Sequence, residues 1–259
     1  SCAGFIFYVR FINYCTTPAD KNAAPAMFTI APGQNLKTIA NRLEQASIIS
    51  DSRYFVWLTK TKKAGKKLQA GQYLLSAAYS PEKILQTLIK GKVKLYKITL
   101  PEGLTIKETA ARIQASGFCK ADRFTALCQD KGFIHSQGIQ ADTLEGYLFP
   151  DTYFFPKPTD CNTIIGAMLN RFNQVITPAW KVRAESLGFS VFEIITLASI
   201  IEKETGDASE RPVISSVFHN RLRKKMRLES DPTVIYGIKN FDGNITRRHL
   251  KTWTPYNTY

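Results

Sequence analysis

Apolar and polar positions along the chain change period in a way that marks elements. Phe28-Thr-Ile30 opens as a short apolar strand, Pro32 and Gly33 break it, and Leu36, Ile39, Ala40 and Leu43 then recur at helical spacing. Gly33 supplies the positive φ that a tight turn after a strand needs. A second helix is expected over Tyr54-Phe-Val-Trp-Leu58, with Ser50 or Asp51 as its N-cap. The segment 69–75, QAGQYLL, reads as a strand behind its own glycine. Ser80 and Pro81 carry a helix-start signature for 80–89, which Gly91 closes.

The same pattern returns 70 residues later without a gap. Phe28 to Leu43 aligns with Ile98 to Ile113. Thr29/Thr99, Gly33/Gly103, Lys37/Lys107, Ala40/Ala110, Arg42/Arg112 and Arg53/Arg123 are identical, while Leu36/Ile106, Leu43/Ile113 and Tyr54/Phe124 stay apolar. Beyond the repeat, residues 141–156, ADTLEGYLFPDTYFFP, are aromatic and broken by Gly146, Pro150 and Pro156, so they cannot form one helix. Helical patterns resume over 164–175, 182–187 and 191–205. Short strand-like and loop segments are expected after Asp231-Pro232.

Composition narrows the class. With 259 residues, 44% apolar and 12% aromatic, the chain buries a real core in one large or two small domains. The net charge of +14 favours a polyanionic setting and does not choose among nucleic acid, membrane and wall polymer. No zinc-finger spacing, P-loop or homeodomain-like helix supports nucleic acid. No cysteine pair has CxxC spacing, so no metal is expected. Cys119 and Cys128 read as two buried thiols, or as a pair in an oxidising compartment. Residues 1–15 are apolar and aromatic but shorter than the roughly 20 residues that span a bilayer. They read as the outer end of a membrane helix, an anchor remnant followed by a linker over 16–26.

The most informative stretch is VFEIITLASIIEKET, 191–205. Its almost unbroken apolar run predicts a buried helix that ends on Glu202. Ser199, Ala198 and Ile195 share the face of Glu202 and leave room beside its carboxyl. Burial there would suit a general acid. Glu204 points to another side of the helix. Glu145, Asp151, Glu229 and Asp231 are candidate carboxylates across a cleft. A single acid suffices where the substrate supplies its own nucleophile.

Two resemblances follow from these residues. The strand, glycine turn, helix, helix, strand order of 28–75, with its FTIxPGxNLxxIA opening, resembles LysM modules, which bind N-acetylglucosamine-containing glycans. More broadly, LEGYLFPDTY (144–153), LASIIEKET (197–205), Glu210-Arg211, VFHNRL (217–222), MRLESDPTVIY (226–236) and PYNTY (255–259) resemble, in order, the MltG (YceG-like) endolytic murein transglycosylases. The likeness covers about residues 28–259. It implies an α+β protein, a LysM-like module over 27–97 and a catalytic domain over 98–259 with a buried catalytic helix. It also implies a single-pass inner-membrane anchor and a periplasmic catalytic domain. The implied substrate is the peptidoglycan strand, cut between N-acetylmuramic acid and N-acetylglucosamine to leave 1,6-anhydro ends. No cofactor is implied, and peptidoglycan synthases are the implied neighbours.

Carried onto this chain, the family's catalytic glutamate falls on Glu202. Asn220, Tyr236 and Asp231 are candidate sugar-binding residues, Arg221 a candidate for a lactyl or peptide carboxylate, and Tyr147, Tyr153 and Tyr256 candidate stacking rings. Arg221 alternatively holds Glu204 or Asp231. Glu229 stands where glutamine is expected in many relatives. The competing readings are a non-catalytic glycan-binding scaffold, a nucleic-acid binder suggested by charge alone, and a muramidase that uses water.

Overall fold

A computed structural model describes residues 2–239 and 241–259 and has a mixed α+β architecture. The chain divides into two compact units. The first comprises residues 1–98 and 153–160, and the second 99–152 and 161–259. Ser1, the first residue of the expected anchor remnant, lies outside the described residues.

In the first unit, helix α1 (Cys2–Thr16) leads to strand β1 (Ala26–Ile30), helices α2 (Leu36–Gln45) and α3 (Ser52–Thr61), strand β2 (Gly71–Leu75) and helix α4 (Pro81–Ile89). β1 and β2 pair antiparallel, with Phe28 opposite Tyr73 and Ile30 opposite Gly71. The inward positions of this ribbon, Phe28, Ile30, Tyr73 and Leu75, meet Ile39, Leu43, Phe55, Leu58, Ile84 and Leu88 in one apolar core. Asp51 caps α3 by accepting from the Arg53 and Tyr54 amides at 2.8 and 3.3 Å. Phe11 and Tyr14 of α1 are buried, and their rings meet Trp57 and Tyr54 of α3 at 3.9 and 5.3 Å. No single helix among the described residues is long and apolar enough to cross a membrane.

A second two-stranded sheet pairs β3 (Leu95–Leu100) with β4 (Asp151–Pro156), and the chain passes from one unit to the other within these strands.

The second unit begins with the second copy of the repeat: α5 (Ile106–Ala115) and α6 (Ala121–Gln129), followed by α7 (Lys131–Ser136). Both ends of α5 fall 70 residues after those of α2. The caps Asn35 and Thr105 hold the same place, and Gly33 and Gly103 both have positive φ, 79° and 74°. Even the left-handed residue past each helix matches, Ser47 at 54° and Gly117 at 71°. The copies diverge afterwards, because β2 closes a ribbon with β1 whereas α7 follows α6.

After β4 come α8 (Cys161–Val175), α9 (Pro178–Ser186), α10 (Val191–Glu204), α11 (Arg211–Arg223), α12 (Asp231–Gly237) and α13 (Arg247–Lys251). Two expectations fail here. The region after Asp231-Pro232 carries two short helices instead of strand-like segments, since Pro232 sits in the first turn of α12, where its missing N–H costs nothing. α10 is also not an enveloped helix: Leu197 is its buried residue and Phe192 is more than half exposed. α10 packs on α9, α11 and α12. These partners have 9, 13 and 7 residues, so they cover one side and leave flanks in solvent.

The cysteines give a third correction. Cys119 pairs with Cys161 in a disulfide, with their Cα atoms 5.6 Å apart, and not with Cys128. Cys119 follows α5 in the link to α6, beside the first residue of α8, whereas Cys128 lies on the inward face of α6. Burial pushes the Cys128 thiol up to about 12.

Candidate functional site

The second unit gathers four pieces of chain around the end of α10. Ser190 starts α10 with a capping box, accepting from the Glu193 amide at 3.2 Å while the Glu193 carboxylate takes the Ser190 amide at 2.8 Å. Glu202 lies in the last turn, its side chain 28% exposed. Its Oε1 accepts a hydrogen bond from Arg211 at 3.0 Å, and Arg211 is the first residue of α11. The carboxyl therefore sits at the protein–water boundary with one charged partner, less buried than the apolar run of α10 suggested.

The turn that opens the second repeat copy lies against it. A Cβ placed on Gly103 would sit 4.0 Å from Glu202 Cγ and 3.5 Å from Lys203 Nζ. Three residues on, the Ile106 amide begins α5 and donates to both carboxyl oxygens of Glu145 at 3.2 Å. The residue after Glu145, Gly146 (φ 83°), presses so closely on α10 that an added Cβ would come within 2.8 Å of Ile195 Cγ2. The Tyr236 phenol of α12 lies near the Glu145 carboxyl. Burial raises the Glu145 carboxyl above the usual range, against the pull of the Ile106 amide and the nearby Tyr236 phenol. Burial and the nearby Glu145 carboxylate push the Tyr236 phenol up to about 12. α12 returns to α10 at its own start, where the Ser230 hydroxyl donates to Glu204.

These contacts run from Glu202 to the Gly103 turn and through the α5 amide to Glu145, while Ser230 at the start of α12 ties back to Glu204. Tyr236 and Tyr256 are about half exposed and meet edge to face at 4.8 Å and 86°.

The other expected residues lie differently. Tyr147 is 7% exposed and packs on Phe172 at 5.3 Å, so it is core and presents no ring face to a sugar. Tyr153 is likewise buried, stacked on Phe155 at 5.9 Å, and belongs to the first unit. Tyr153 faces inward because strand β4 alternates, with Tyr153 and Phe155 buried and Phe154 exposed, and Tyr147 is buried three residues after the buried Leu144. Asn220 accepts from Arg223 at 2.8 Å on its own helix. Arg221 binds the Leu228 carbonyl and pairs with Glu229 at 3.7 Å, in place of the expected Glu204 or Asp231. Asp231 accepts from the Tyr259 hydroxyl at 2.5 Å. Asp151 pairs with Arg171 at 2.7 Å. Among the described residues no group of three His, Cys, Asp or Glu side chains is placed to hold a metal.

The family model for the YceG-like family matches residues 28–259. The chain belongs to the YceG-like family. It is 32% identical to the endolytic murein transglycosylase of Bacillus subtilis over 93% of this chain and 71% of that protein. It is 29% identical to that of Streptococcus pneumoniae strain D39 over 99% of this chain and 52% of that protein, so it spans about half of the pneumococcal relative. A crystal structure of a YceG-like protein from Listeria monocytogenes superposes with a TM-score of 0.59 at 31% identity, covering 91% of this chain and 83% of that one.

Within this YceG-like frame, sequence reasoning undervalued two residues. Arg211 stood in a motif without a role, and nine positions separate it from Glu202. Glu145 stood among four interchangeable carboxylates. The signal for Glu145 was the glycine after it, because Gly146 marks where backbone must approach a neighbour closely.

Proposed function

We propose that this YceG-like chain is an endolytic murein transglycosylase, with Glu202 as its general acid and base. The observation that carries this reading is the placement of Glu202. It is partly exposed, oriented by Arg211 and backed by the Gly103 turn, where no side chain intervenes. The names of its curated relatives point the same way.

In this reading Arg211 holds Oε1 and the proton is carried on Oε2. A glycan seated over the carboxyl removes its remaining water, and Glu202 delivers the proton to the oxygen linking N-acetylmuramic acid to N-acetylglucosamine. The C1–O bond breaks, and the muramic acetamido group shares the positive charge left on C1. The C6 hydroxyl of the same ring then attacks C1 and returns its proton to Glu202. The products are a 1,6-anhydro end and a released 4-hydroxyl, without net uptake of water. Tyr236 and Tyr256 offer an aromatic corner for a sugar face, and the +14 charge suits a polymer that bears carboxylates. Asn220, Arg221 and Asp231 are assigned to peripheral glycan or stem-peptide contacts.

The finer setting belongs to the same proposal. The order β1, α2, α3, β2 supports reading 27–97 as a LysM-like glycan-binding module. The exposed apolar residues Phe5, Ile6, Tyr8 and Val9 of α1 support the membrane-proximal end of a single-pass anchor, with the catalytic domain in the periplasm beside peptidoglycan synthases. Digestion of purified uncrosslinked strands, followed by mass spectrometry of the termini, tests the chemistry. Internal cuts with anhydro ends are the expected result. Reducing ends would convert the enzyme into a hydrolase, and a Glu202→Gln variant that still cuts would remove the assigned acid.

A further inference from the structure

We propose that the pocket formed by α13 and the link after α11 is an anion subsite, in which Arg227, Arg247 and Lys251 take the terminal carboxylate of a stem peptide on the glycan. This rests on the transglycosylase reading for its ligand class and assigns residues that have no part in the reaction sequence above.

The pocket encloses about 510 Å³ and lies within the second unit. Helix α13 builds one wall. Thr246 caps this helix by accepting from the His249 amide at 3.3 Å. The Asn257 side-chain amide holds the other end, donating to the Leu250 and Thr252 carbonyls at 3.0 and 2.7 Å. Arg247, Leu250 and Lys251 stand three and four positions apart, so they share one face of α13, and all three line the pocket. Arg227 joins them from the link between α11 and α12. It ends a basic run that begins at Arg221. Arg221 is taken by the Leu228 carbonyl and Glu229, and Arg223 by Asn220, whereas Arg227 is exposed and lines the cavity.

Three cations thus line one cavity, and among the described residues none of them pairs with a carboxylate. Like charges held together repel, at four-residue spacing on a helix above all, and an anion bound among them relieves that repulsion. No acidic side chain lines the pocket. Asp231 and Glu229, which adjoin its Tyr259 wall, are already engaged by the Tyr259 hydroxyl and by Arg221. Charge alone would suit a phosphate equally. Trp253 in the same pocket narrows the choice: at 83% it is the most exposed large apolar side chain among the described residues. An indole beside Leu250 and three cations fits a ligand whose charge adjoins apolar carbon, as the methyl-flanked carboxylate of an alanine-terminated stem peptide does. The pocket is also joined to the acid. The Ser230 amide donates to the Thr258 hydroxyl at 3.0 Å, next to Tyr259, and the Ser230 hydroxyl donates to Glu204, two residues from Glu202. A stem of four residues reaches up to about 14 Å from the sugar that bears it.

Binding measured on a Glu202→Gln background separates this role from the chemistry, because the ligand is not consumed. The probe is an uncrosslinked oligosaccharide of alternating N-acetylglucosamine and N-acetylmuramic acid. Its stem tetrapeptides end either in a free carboxyl or in a carboxamide, and each form is titrated by calorimetry at low salt. The free acid is expected to bind about tenfold tighter, as gain of one charge-assisted hydrogen bond gives, and added salt should shrink the difference. Arg247→Gln combined with Lys251→Gln should bring the ratio of the two forms close to one. Should that double variant fail to fold, Arg227→Gln, on the link outside any helix, takes its place, with the ratio again expected to fall. Equal binding of the two forms, a ratio that survives loss of the cations, or no oligosaccharide binding at all would each overturn the assignment. So would variants that lose binding to phosphatidylglycerol vesicles while keeping the ratio, since the site would then belong to a lipid phosphate. Anhydro ends made by the Glu202 enzyme alongside any of these failures would leave the transglycosylase reading standing. The expected ratio without anhydro ends would defeat that chemistry and leave the subsite in place.

Discussion

At the scale of single residues, Glu202 and Glu145 are two carboxyl groups in different settings. Glu202→Gln keeps the shape of the side chain and its hydrogen bond to Arg211, so the melting temperature should stay close to the parent's. Formation of anhydro ends should fall by about 10²–10⁴, the usual contribution of a positioned general acid. Glu145 gives a pH dependence. Its native carboxyl is raised above the ordinary value, so the folded chain keeps a proton that the unfolded chain has already released. Its contribution to stability is greatest below the ordinary carboxylate range and declines as pH rises through the raised native value. Melting curves across mildly acidic pH should show this decline, and Glu145→Gln should flatten it. An equally steep decline in the variant would assign the slope to other groups.

At the scale of elements, the two repeat copies provide a matched pair. Gly33 and Gly103 share almost the same φ, so alanine at either should cost about 1 kcal/mol or more in backbone strain. A methyl added at Gly33 would meet nothing within 4 Å, while one at Gly103 would face Lys203 and Glu202. Both variants should therefore lose similar thermal stability, and only Gly103→Ala should also lose glycan cleavage. Equal activity in the two would show that the second turn is not part of the site.

Much of this was legible beforehand, because the repeat rests on local rules. Asn35 and Thr105 cap, Gly33 and Gly103 turn, and apolar positions at helical spacing face inward. The covering of α10 was not legible. An apolar run states what a helix tolerates, while the short lengths of α9 and α12 decide how much of it is covered. Tyr147 and Tyr153 misled for a related reason, since a tyrosine in a motif reads the same whether its ring faces core or solvent. Arg211 and Glu145 escaped because their partners, Glu202 and the Ile106 amide, lie nine and 39 positions away in the sequence.

At the scale of the whole molecule, the disulfide joins positions 42 residues apart within the second unit. Closing a loop of that length stabilises a domain by about 2–4 kcal/mol. Cys161→Ser, or reduction of the parent, should lower the melting temperature measurably, and unchanged melting would show that the bond is absent in solution. Family membership extends the α+β architecture to relatives that share about 30% of their residues with this chain, so packing, not exact sequence, carries the frame.

The chain leaves the second unit at residue 153 and re-enters at Cys161, the residue that bears the bond to Cys119. That arrangement works as a covalent bracket around the excursion. A protease that nicks the backbone anywhere from 120 to 160 yields two pieces that still migrate as one species on a gel without thiol and separate once reductant is added.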